Sequence, residues 1–213
     1  MGPDEVHIVS PFSFPDAEYM VTPEPGKDES LKKRVILVTD GDENAQEAVI
    51  QACKTLGLYP LLSSGGNPTP LTGERLIWEI KQAPYDPVVV LLDDRGEAGK
   101  GRGERALEKL LLADSLDVLG VIAVASNTDR ARGIEVDESV DRRGRVTDRP
   151  VDKYGEPEPL GHRYLEGDTA EILARFPEVR VIGVGDLGKM KGGDDPAHGA
   201  MITTRCLQEL IGD

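Results

Sequence analysis

Apolar positions along this chain alternate between two periods. Residues 34–39 hold an uninterrupted run, Val35-Ile36-Leu37-Val38, which predicts a strand buried on both faces. Beyond Asp40-Gly41-Asp42 the period lengthens: Ala45, Ala48, Val49, Ala52, Cys53 and Leu56 recur at helical spacing and predict a helix over 43–56, stopped by Gly57. The succession then repeats. Apolar runs at 58–62, 88–92, 118–125 and 179–184 predict four more strands, and amphipathic stretches predict helices over about 72–82, 104–113 and 197–211. A further helix opens at the capping-box-like Asp168-x-x-Glu171 and runs to about Phe176. This alternation argues a three-layer α/β fold, with a mainly parallel, Rossmann-like sheet and helices on both faces.

Two segments break the rhythm. Residues 1–33 carry Pro3, Pro11, Pro15, Pro23 and Pro25 and no sustained period, which predicts an acidic, proline-interrupted extension ahead of a single domain at 34–213. A short docked strand through Val6, Ile8, Val9, Phe12 and Phe14 is the other reading of that stretch. Within 129–164, Asp141-Arg-Arg-Gly144 and Asp152-Lys-Tyr-Gly155 each follow a valine and carry Asp and Gly where a type I turn wants them. They predict a small antiparallel β-meander inserted between the fourth and fifth parallel strands.

Composition narrows the function classes. The chain has 213 residues and a net charge of -14, so non-specific nucleic-acid binding, which depends on Lys and Arg, is not expected. Acidity suits solubility, cations or a basic protein partner. Cys53 and Cys206 both fall on predicted amphipathic helices and read as small core residues in a reducing compartment. No apolar run reaches the roughly 18 residues of a membrane span, and the N-terminus lacks a basic segment followed by an apolar core. A cytoplasmic protein, peripheral to a membrane at most, is expected.

Parallel strands share a carboxyl edge, where open α/β sheets bind ligands. That edge is expected to collect Asp40, Asp42, Asp93, Asp94 and Asp186, together with Ser126 and Asn127. Carboxylates held together repel, and a hard divalent cation relieves the repulsion through oxygen ligands, which makes Mg²⁺ the candidate. The competing structural reading has Asp40 and Asp42 capping the first helix and Asp93 and Asp94 capping turns. Ser63, Ser64, Gly65, Gly66 and Asn67 precede a helix and are candidates to offer backbone N–H groups to an anion. Lys100 and Arg102 of a glycine-rich loop, and Lys189, are candidates to reach the same edge. The loop is not a P-loop, and no G-x-G-x-x-G follows the first strand. His7, His162 and His198 are too scattered to form a ligand set with the cysteines, and no G-x-S-x-G is present. Trp78 reads as a packing residue of its helix.

Several blocks resemble one family. These are T-D-G-D (39–42), S-G-G-N-P-T-P-L-T-G-E (64–74), I-K-Q-A-P-Y-D-P-V-V-V-L-L-D-D (80–94) and G-K-G-R-G-E-R-A-L (99–107), continuing in V-L-G-V-I-A-V-A-S-N-T (118–128), V-D-K-Y-G (151–155), G-D-T (167–169) and G-V-G-D-L-G-K-M (183–190). Over about 34–211 the chain resembles the soluble stage V sporulation protein AE of endospore-forming bacteria. The resemblance implies a protein made during sporulation, acting in the forespore or beside the spore inner membrane. Its implied partners are the membrane proteins of the stage V sporulation A operon, which move dipicolinate with Ca²⁺. It supplies no catalytic residues. The T-D-G-D turn also looks like the D-x-D turn of Toprim-type Mg²⁺ domains, although the glutamate those domains carry after a preceding strand has no match here. Two functions are therefore expected: a soluble accessory protein of the sporulation and germination machinery or, alternatively, a Mg²⁺-dependent phosphoryl-transfer or nucleotide-binding enzyme.

Overall fold

Strand β1 (Lys33–Val38) buries Val35, Ile36, Leu37 and Val38 completely, as its continuous apolar run requires of a strand covered on both faces. It lies at the centre of the sheet, parallel to β3 (Val88–Leu91) on one side and to β4 (Leu116–Val124) on the other. Strand β2 (Tyr59–Pro60) flanks β3, and β9 (Val181–Val184) flanks β4, both parallel. The computed structural model describes residues 32–94, 101–126, 133–167 and 170–212, which lie within one compact unit beginning at Lys32.

Helix α1 (Glu43–Leu56) follows β1 and ends at Gly57, whose left-handed backbone (φ 69°) suits a residue without a side chain. It packs against α5 (Met201–Ile211) on one face of the sheet. Helices α2 (Gly73–Gln82), α3 (Arg102–Leu111) and α4 (Ala170–Leu173) cover the other face, with α2 against α3 and α3 against α4. The alternation along β1 separates the two cores. Val35 and Leu37 join the α2–α3 side, while Ile36 and Val38 join the α1–α5 side. Cys53 and Cys206 belong to the second core as free thiols, and burial pushes the Cys53 thiol up to about 12.

The inserted segment is antiparallel, as expected, and one of its strands also joins the main sheet. Its antiparallel pairs are β6 (Glu138–Val140) with β7 (Val146–Thr147) and β5 (Ile134–Glu135) with β8 (Tyr164–Leu165). Strand β6 also adds itself parallel to β9, which extends the main sheet to the order β2-β3-β1-β4-β9-β6-β7. An unpaired β9 would leave a row of backbone groups bare at the sheet edge, and β6 satisfies them. Two elements depart from expectation. The last helix begins at Met201 rather than 197, because Ala200 adopts a left-handed backbone (φ 46°) between it and a preceding 3₁₀ turn. Trp78 is half exposed, with the Arg75 guanidinium 4.2 Å above its ring, so it is covered by a cation rather than buried in the core. Residues 1–31 and Asp168 lie outside the described residues.

Candidate functional site

Because α1 leaves β1 on one face while the connections after β3 and β4 leave on the other, a crevice opens at the carboxyl ends of these strands. A cavity of about 300 Å³ occupies it. Asp40 and Asp42 reach it from the end of β1, Asp93 and Asp94 from β3, Ser126 from β4 and Asp186 from β9. Asn67 lines it as well. The five aspartates expected at one rim are therefore brought together.

Three of the carboxylates also have a local task. Asp42 is the N-cap of α1, accepting from the Ala45 N–H at 2.9 Å. Asp40 braces the turn by accepting from the Asp42 N–H at 3.2 Å. Asp94 is buried and accepts the Glu104 N–H through both oxygens at the start of α3. The backbone of Asp93 is tied to Thr69, whose hydroxyl accepts its N–H at 2.7 Å. Capping and cavity-lining are thus not alternatives: the same residues do both.

The repulsion among these groups is relieved from within the chain. Lys189 donates to Asp42 at 2.7 Å and to Asp186 at 3.4 Å, placing an ammonium between two of the carboxylates. Burial alone would raise the Asp42 pKa, but the Lys189 hydrogen bond and the Ala45 N–H outweigh it and hold the carboxyl below its ordinary range. Burial pulls Lys189 down, yet its bond to Asp42 and the charges of Asp186, Asp42 and Asp40 raise it. For Asp40 the Asp42 N–H is too little to offset burial. Burial, and then the neighbouring charges of Asp42, Asp93 and Asp186, push it up to about 7. Near neutral pH the rim thus titrates through Asp40. Among the described residues no group of three or more His, Cys, Asp or Glu side chains is placed to hold a metal ion.

The anion-binding candidates fare differently. The N–H groups of Ser64, Gly65 and Gly66 donate to the carbonyls of Leu61, Leu62 and Gly41 and do not form a cradle. The Ser64 hydroxyl is buried between the Leu61 carbonyl and the Leu91 N–H, and the Ser63 hydroxyl bonds Glu79. The loop is tied down because it must pack on the β1–α1 turn. A Cβ on Gly41 would stand 2.6 Å from the Gly66 carbonyl oxygen, and one on Gly65 would meet Gln46. Arg102 faces a second depression beside α2, away from the acidic cavity. Lys100 and Asn127 lie outside the described residues.

One cavity residue escaped the sequence reading. Lys153, from the second turn of the insertion, lines the cavity, and its carbonyl accepts the Asp186 N–H at 2.9 Å. Its ammonium also lies 4.9 Å from the Tyr154 ring centre. The turn signal in Asp152-Lys-Tyr-Gly155 was legible, but nothing local said that the turn would fold back onto β9.

These features define the class: a doubly wound α/β protein with a mixed-charge, acid-rich cavity at its topological switch point. Residues 34–212 match the family model of stage V sporulation protein AE1, and the chain belongs to that family. No curated protein and no solved structure matches the chain. Family membership places the protein in sporulation. Among the described residues no helix is long and apolar enough to cross a membrane.

Proposed function

We propose that this protein is a ligand-sensing accessory of the sporulation and germination machinery, acting beside the stage V sporulation A membrane proteins that move dipicolinate with Ca²⁺ across the spore inner membrane. The observation that carries the reading is the composition of the cavity: Asp42, Asp93, Asp186 and Lys153 line it, and Lys189 bonds Asp42. A bare dicarboxylate would be repelled by such a rim. A Ca²⁺ chelate of it would not, because Ca²⁺ takes about 6–8 oxygen ligands and the chelator fills only part of that shell. One or two protein carboxylates then suffice, without a preformed set of three, and Lys153 is available to a carboxylate oxygen of the ligand. A volume of about 300 Å³ suits a single-ring molecule.

Calorimetric titration of the full chain with Ca²⁺, with dipicolinate and with the equimolar chelate tests this. Heat is expected from the chelate, little from the free dianion, and weaker binding in Asp186→Asn. Absence of heat from all three, or binding indifferent to Asp186→Asn, would remove the site. Deletion of the gene, with unchanged dipicolinate content and germination kinetics, would count against the cellular role. The Mg²⁺-dependent phosphoryl-transfer reading has less support, since the loop N–H groups and Arg102 that were to hold phosphate serve elsewhere. A titration with Mg²⁺-nucleotide checks it in the same instrument.

A further inference from the structure

The second depression has the opposite character to the first. Its volume is about 390 Å³, and it lies between the loop leading into α2 and one side of α3. Pro70 and Leu71 contribute apolar surface. Among the described residues, the charged side chains that line it are Arg102, Arg105, Lys109 and Glu74, in a protein whose net charge is -14. Positions 102, 105 and 109 recur at helical spacing, so one side of α3 carries all three, over about 10 Å of helix length. The Lys109 ammonium is 3.2 Å from a Glu74 carboxylate oxygen, which holds it at the α2 side of the depression. A Cβ on Gly73 would stand 2.5 Å from the Lys109 Cβ, so the helices meet closely here and set the width of the opening.

From this arrangement we infer a second binding site, for a phosphate-bearing ligand. Two arginines line one depression a turn apart on α3, and guanidinium forks pair with phosphate oxygens through two parallel hydrogen bonds. The apolar surface from Pro70 and Leu71 accommodates the carbon body to which the phosphate is attached. Glu74 opposes binding directly and limits its strength. The site is separate from the acidic cavity and does not depend on what that cavity binds.

The test uses the full chain with two probes: pyrophosphate in solution, and phosphatidylglycerol vesicles compared with phosphatidylcholine vesicles. Arg102→Gln with Arg105→Gln removes two exposed cations and leaves the packed side of α3 intact, and the thermal transition of that variant controls for folding. Pyrophosphate binding that weakens at least about tenfold in the double variant, as loss of charge-assisted hydrogen bonds implies, supports a soluble phosphate ligand. Selective binding to phosphatidylglycerol vesicles that is lost in the same variant assigns the phosphate to a lipid headgroup. Glu74→Gln is expected to strengthen either, and Asp186→Asn to leave both unchanged. Failure of the wild-type chain to bind pyrophosphate and vesicles alike, or binding that persists in the double variant, overturns the inference.

Discussion

Asp40 is the residue on which the electrostatics of the rim turn. Its folded pKa of about 7 lies above the unfolded value near 3.8, so the native state holds the proton more tightly than the unfolded chain does. Stability contributed through this group is therefore greatest at low pH and falls as pH rises from about 4 through 7. Between pH 5.5 and 8 the linkage amounts to about 2 kcal/mol. Urea denaturation at those two pH values is expected to show that loss in the wild-type chain and little of it in Asp40→Asn. Lys189 holds the complementary position. Its ammonium stands between Asp42 and Asp186, where a bound cation would otherwise offset their charge. Lys189→Met is expected to raise the affinity of the cavity for Ca²⁺, read by calorimetry. Unchanged Ca²⁺ affinity in that variant would mean that the lysine does not compete for the carboxylates.

The elements around the cavity are held by contacts that sequence spacing does not announce. Asp194 is fully buried and accepts from the Gly188, Ile202 and Thr203 N–H groups and from the Thr203 hydroxyl. It thereby caps α5 from outside and fixes the loop that delivers Lys189. That loop also carries Met190 and Lys191 in left-handed backbone conformations (φ 44° and 57°), which side chains other than glycine adopt only when their surroundings impose them. Asp194→Ala leaves several buried donors without an acceptor and is expected to cost about 3 kcal/mol or more in urea denaturation. The crossing of the β1–α1 turn with the 64–67 loop is equally tight. Gly41→Ala would drive a methyl group against the Gly66 carbonyl and the Asp93 side chain. A loss of about 2 kcal/mol and of ligand heat at the acidic cavity is the expected result, with wild-type stability as the contrary one.

At the scale of the molecule, one compact unit runs from Lys32 to the C-terminus. A chain beginning at Lys32 is expected to unfold cooperatively at the transition temperature of the full protein, as a domain with its own core does. A transition broadened or lowered by many degrees would show that residues 1–31 contribute to the fold. Most of the architecture was legible in advance, because strand and helix periods report burial, a property each segment carries locally. The continuous run at 35–38 named a strand buried on both faces, and the spacing from Ala45 to Leu56 placed α1 to its last residue. The carboxyl-edge aspartates were legible for the same reason: parallel order follows from alternation, and parallel order gathers strand ends. What the local pattern left open was every contact between segments distant in the chain. Only the tertiary structure decided that β6 would pair with β9, that Lys153 would reach the cavity and Arg102 would turn from it, and that the loop N–H groups would be used internally. Those outcomes depend on which backbone groups remain unpaired once the sheet has formed, and a donor or acceptor finds its partner across the fold, not along the sequence.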